Sequence, residues 1–95
     1  MTPHFTEAAA CDLEETQSYI GARTSADTAN RVIGRIGTTI STICRFPRIG
    51  HDGHVRGTLE MLVPGIPFVV VYRVETGKGE VVILRVYHVS RDRRR

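Results

Sequence analysis

Ninety-five residues with 41% hydrophobic and 24% charged content make one small globular domain, able to bury a core but with little to spare. No apolar run approaches the ~20 residues of a membrane span, and two cysteines outside any C-x-x-C pair exclude a disulfide scaffold or a zinc ribbon. A net charge of +3 is compatible with a nucleic-acid or acidic-protein partner and requires neither.

Met1–Ala10 lacks the basic start and apolar centre of a signal peptide, so a cytoplasmic protein with free thiols is expected, with no membrane contact. Thr2 to Thr6 is expected to form a brief edge strand. From Glu7 the pattern turns helical: Ala9, Leu13, Thr16 and Ile20 fall at steps of four, three and four on one stripe. The acids Glu7, Asp12, Glu14 and Glu15 crowd the first half, where the helix dipole favours them. Gly21 is expected to end this helix.

Thr24-x-x-Asp27 reads as a capping box opening a second helix. Its stripe is Ala29, Ile33, Ile36, Ile40 and Ile43, and Pro47 closes it. Gly34 and Gly37 weaken a helix interior, which is tolerable if another backbone passes close by. The short Gly21–Thr24 link makes the pair an antiparallel hairpin. In that geometry Cys11 and Cys44 are out of step by about 13 Å, too far for a disulfide.

Arg48 to Val55 reads as a loop. His51, Asp52 and His54 suggest a metal, but Gly-rich loops carry polar residues by default and only His88 could add a ligand. No metal and no cofactor are expected. Three strands follow, Thr58 to Val63, Phe68 to Val74 and Val81 to Val89, joined by the turns Pro64–Pro67 and Thr76–Gly79 in an antiparallel meander.

Counting from the turns pairs Met61 with Val70, Leu59 with Tyr72, Tyr72 with Ile83 and Val70 with Arg85. One face then holds Leu59, Met61, Val63, Phe68, Val70, Tyr72, Ile83, Arg85 and Tyr87. The helices are expected to cover it, which leaves Arg85 awkwardly among apolar neighbours. The other face holds Glu60, Arg73 and His88 around an aliphatic floor, with Glu60 diagonal to Arg73 and within reach of a salt bridge. That pair is either structural or part of an acid–base site.

The ordered set Phe46-Pro47, Gly50, Gly57-Thr58-x-Glu60, Pro67-Phe68, Tyr72-Arg73-Val74, Ile83-Leu84-Arg85-Val86, His88 and Arg91, with Ala8 and Asp12-Leu13 upstream, resembles the RelE/ParE toxin superfamily of plasmid stabilisation proteins. The resemblance covers nearly the whole chain. It implies an α+β fold, an N-terminal antiparallel helical hairpin packed on a three- to four-stranded antiparallel sheet, with residues 1–90 as one toxin domain and 91–95 as a basic tail. It also implies the toxin half of a bacterial type II toxin–antitoxin pair, held silent by a cognate antitoxin.

Two mechanisms occur in that superfamily. ParE-like members poison DNA gyrase by binding. RelE-like members cleave mRNA on the ribosome as endoribonucleases. A single lysine, Lys78, and the Tyr-Arg-Val strand look more like the ParE side, so a growth inhibitor that is not an enzyme is expected. Were the chain a nuclease, Glu60, Arg73 and His88 would be its catalytic residues, although the arginine of nuclease members falls near Val69. Arg56, Arg85, Tyr87 and Arg91 are the expected target or antitoxin contacts. The usual Gly-Thr-Arg-Glu pattern is broken here by Leu59.

Overall fold

The computed structural model describes residues 1–91. Those of the expected tail from Asp92 to Arg95 lie outside the described residues. The elements run β1 (Thr2–Phe5), α1 (Glu7–Arg23), α2 (Ala26–Arg45), β2 (His51–Asp52), β3 (Leu59–Leu62), β4 (Phe68–Glu75) and β5 (Glu80–His88), with a single 3-10 turn, Thr76–Lys78, between the last two. The sheet order is β1-β5-β4-β3-β2.

The helical hairpin and the meander are as expected, and the α+β architecture holds. The sheet has five strands because β1 joins β5 in parallel and the expected loop 48–55 contributes the two-residue β2. Neither addition leaves an apolar alternation: every residue of β1 and β2 is exposed.

Both helix boundaries differ from expectation. α1 runs past Gly21 to Arg23, and a Cβ added at Gly21 would sit 3.9 Å from the Ala29 Cβ. That glycine therefore lies where the two helices come together rather than at a helix end. Thr24 caps α1 by donating its hydroxyl to the Ile20 carbonyl at 2.8 Å. The N-cap of α2 is Ser25, whose Oγ accepts from the Thr28 N–H. Gly34 and Gly37 face open space, so no backbone approaches them.

The stripe of α2 is core as expected, with Ala29, Ile36, Ile40 and Ile43 buried. It packs with Ala9 of α1 on Leu59, Val63, Phe68, Val70, Tyr72, Val81, Ile83 and Val86 of the sheet. Tyr72 is fully buried, and its hydroxyl donates to the Pro47 carbonyl at 2.8 Å and accepts from the Gly50 N–H at 3.0 Å. Burial pushes the Tyr72 phenol up from its ordinary pKa. Cys11 is exposed and Cys44 buried, and both are free.

The register agrees with expectation from Met61–Val70 through Tyr72–Ile83, then departs. A β-bulge lies between Val71 and Tyr72: Tyr72 pairs Ile83 but Val71 pairs Arg85, so Leu84 is the extra residue. Val70 pairs Val86, not Arg85. Beyond the bulge every side chain of β5 changes face. Val86 and His88 turn to the helices, while Arg85 and Tyr87 move to the open face. This removes the expected burial of Arg85 among apolar neighbours.

Candidate functional site

The bulge is held from outside by the start of α1. Thr6 is the α1 N-cap, and its hydroxyl also reaches the carbonyls of Ile83 and Leu84 at 3.2 and 3.0 Å. β1 pairs with β5 only as far as Ile83, so the rest of that edge faces α1. Asp12, 6% exposed, fills the gap there. Its Oδ2 accepts from the Val86 N–H at 2.9 Å and from Arg85 Nε at 2.8 Å, and its Oδ1 accepts from Arg85 Nη2 at 2.9 Å. The hydrogen bond to Asp12 raises the Arg85 pKa further, so this guanidinium stays charged.

Two concavities result. On the open sheet face a cleft of about 410 Å³ is lined by His54, Val55, Thr58, Glu60, Val71, Leu84, Arg85 and Tyr87. Between the helices and the end of β5 a mainly apolar groove of about 510 Å³ is lined by Tyr19, Ile20, Val32, Pro67, Phe68 and Val86. Asp12, Glu15, His88 and Arg91 are among its polar residues.

The three expected nuclease residues are not assembled. Glu60 is on the open face, where Oε2 accepts from the His54 N–H at 3.2 Å and Oε1 lies 3.8 Å from His51 Nε2. Arg73 shares that face but is bound to Glu75, Nε to Oε2 at 2.6 Å, in place of the expected bridge to Glu60. That hydrogen bond lowers the Glu75 pKa. His88 lies on the helix side, edge-on to Phe68 with ring centroids 5.3 Å apart. Its Nδ1 accepts from the Ser90 N–H at 3.0 Å, with the Ser90 hydroxyl 2.8 Å from the same nitrogen.

The expected contact residues also divide. Arg85 and Tyr87 line the open-face cleft, Arg91 borders the groove, and Arg56 is exposed in the loop before β3. Asp12 and His54 were missed as partners of this site by sequence reasoning. Asp12 stands in the sequence among the first-half acids of the helix and in the Asp12-Leu13 pair of the resemblance, and neither points to Arg85 as its partner. Leu59, opposite Tyr72, is 9% exposed and belongs to the covered face. Among the described residues no three metal-ligating side chains converge. Among them, too, no helix is long and apolar enough to cross a membrane.

The family model described as ParE toxin of type II toxin-antitoxin system, parDE, matches residues 4–93. A Sinorhizobium fredii protein named "Putative toxin Y4kP" is 34% identical over 76 residues, covering 80% of this chain and 75% of that protein. Among solved structures, the fold is similar to a chain of the chromosomal ParDE system from P. aeruginosa, with TM-score 0.82 at 22% identity over 94% of this chain and 96% of that one. It is also similar to the isolated E. coli RelE toxin, with TM-score 0.68 at 17% identity over 97% and 87% of the two chains. With nearly all of its length matched by that family model, the chain belongs to the ParE toxins of type II toxin–antitoxin systems.

Proposed function

We propose that this toxin arrests growth by binding and inhibiting DNA gyrase in the cytoplasm, without catalysing a reaction, and that a cognate antitoxin silences it. The observation that carries this reading is the separation of the acid–base residues. Glu60 and His88 lie on opposite faces of the sheet, and Arg73 is engaged by Glu75. General acid–base cleavage needs donor and acceptor at one phosphodiester, with a cation for the developing charge. The match to the ParE model supports the same side of the superfamily.

The apolar groove between α1, α2 and β5 fits a segment of the antitoxin. Its exposed Tyr19 and its buried floor of Phe68 and Val86 form the anchor-and-pocket arrangement that concentrates binding energy. A supercoiling assay with purified toxin tests the proposal: gyrase activity falls with added toxin and recovers when antitoxin is supplied.

One observation favours the second reading, a ribosome-dependent endoribonuclease. His54, Glu60, Arg85 and Tyr87 share the open-face cleft. Under that reading Tyr87 and His54, rather than His88, would work with Glu60. Primer extension on translated mRNA separates the two: codon-linked cuts lost in Tyr87→Phe support the nuclease, and intact message supports the gyrase reading.

A further inference from the structure

The bulge in β5 decides which side chains the open-face cleft and the groove receive, yet the residues around it do not demand it. Val81-Val-Ile-Leu84 is apolar at every position, so a bulge-free strand suits that stretch as well. Counted on from the Tyr72–Ile83 pair, a bulge-free register sets Val71 opposite Leu84, Val70 opposite Arg85 and Phe68 opposite Tyr87. Leu84, the extra residue of the bulge, then regains a place in the ladder. Arg85 and Tyr87 turn to the helix side, where Asp12 still offers the guanidinium a carboxylate, and Val86 and His88 turn to the open face that carries Glu60. The main loss is the burial of Val86, which is 1% exposed in the bulged strand.

A bulge-free strand also loses a contact with Thr6. Successive carbonyls of a regular strand point to opposite edges. Thr6 Oγ1 lies 3.2 Å from the Ile83 carbonyl oxygen and 3.0 Å from that of Leu84, so both carbonyls point to one edge and share a single hydroxyl proton. The Thr6 N–H donates to the same Ile83 carbonyl at 3.1 Å. As the N-cap of α1, the hydroxyl oxygen also accepts from the Ala9 N–H at 3.1 Å. The hydroxyl is thus anchored by the helix and fits only the bulged form of β5.

We propose that Thr6 is a positioning residue for both concavities: its hydroxyl selects the bulged register, which places Arg85 and Tyr87 at the open-face cleft and turns Val86 and His88 toward the groove. The two sites are therefore set together by one contact, made from the start of α1. A change of register would exchange the guanidinium and phenol beside Glu60 for an imidazole. The inference goes beyond the gyrase reading and rests on the sheet geometry alone, so it is tested with no target present.

Cross-strand nuclear Overhauser contacts in isotope-labelled protein test this. The Val86 N–H points away from β4 to Asp12, so Val70 and Val86 are a non-hydrogen-bonded pair, the kind whose Cα atoms approach to about 4.5 Å. Wild type should show Hα contacts of Val70 with Val86 and of Phe68 with His88. Thr6→Asp keeps a strong N-cap but sets an acceptor-only carboxylate against both carbonyls. It should weaken those contacts and bring up new ones, Val70 with Arg85 and Phe68 with Tyr87. Thr6→Val, which removes the donor without adding charge, should shift the same way, and Thr6→Ser should keep the wild-type set. Either of the first two variants, folded by circular dichroism and showing the wild-type set alone, overturns the proposal. So does loss of fold in both with Thr6→Ser intact, which would make Thr6 a stability contact and nothing more.

Discussion

Asp12 on α1 and Arg85 on β5 form a two-pronged ion pair, 2.8 and 2.9 Å, across 73 residues of sequence. The same carboxylate accepts the Val86 N–H just past the bulge. One side chain thus ties the first helix to the strand edge that β1 leaves uncovered, and it holds Arg85 at the rim of the open-face cleft.

Replacing Asp12 by Ala removes the pair and leaves the buried Val86 N–H without a partner. The expected cost is about 3 kcal/mol, read as a lower urea midpoint at unchanged slope. Arg85→Lys keeps the charge but loses the fork, at about 1 kcal/mol. A cost for Asp12→Ala no larger than for an exposed α1 residue such as Gln17 would contradict this role.

Tyr72 closes the turn after α2 from inside the core. Tyr72→Phe leaves the Gly50 N–H and the Pro47 carbonyl unpaired and should cost about 1–2 kcal/mol. Gly50→Ala should cost at least as much, because its Cβ would lie 2.7 Å from the Tyr72 hydroxyl and 2.8 Å from the Glu60 carbonyl oxygen. Thermal unfolding of both variants checks this, and a neutral Gly50→Ala would contradict the geometry.

Leu59 departs from the arginine usual at its position in the superfamily. Buried opposite Tyr72, it is part of the core packing. Leu59→Arg should therefore destabilise the fold by about 2–4 kcal/mol and add nothing to toxicity. Greater growth arrest from this variant would mean that the wild-type chain lacks a cation its activity needs.

Tyr19 is 61% exposed on the groove, with the Arg23 guanidinium 4.7 Å from its ring centroid. If an antitoxin segment fills the groove, Tyr19→Ala should weaken antitoxin binding by about 2 kcal/mol, roughly 30-fold in Kd. Growth arrest by free toxin should be unchanged. Calorimetric titration reads the first and induced expression the second. Unaltered affinity would place the antitoxin elsewhere.

Much of this fold is legible in the residues, for identifiable reasons. Isoleucines at helical spacing mark the buried side of α2, and tight turns with alternating apolar residues set the register from Leu59 to Ile83. The bulge was not legible: Val81-Val-Ile-Leu84 is apolar at every position, so an extra residue leaves no break in the alternation. Its effect on the site was large, since it exchanged Arg85 and Tyr87 for Val86 and His88 between the two faces. β1 was legible as a strand, but its parallel pairing was not, because all four residues are exposed and carry no facial pattern. Asp12 showed no partner in sequence because Arg85 lies 73 residues away.

The central claim is inhibition of gyrase by binding, without nuclease chemistry. The most direct measurement compares wild type with Glu60→Gln/His88→Ala in parallel gyrase-supercoiling and translated-mRNA cleavage assays. The account predicts that both proteins inhibit supercoiling and that neither cuts message. Unimpaired gyrase at large toxin excess, with cleavage by wild type that the double variant loses, would contradict it.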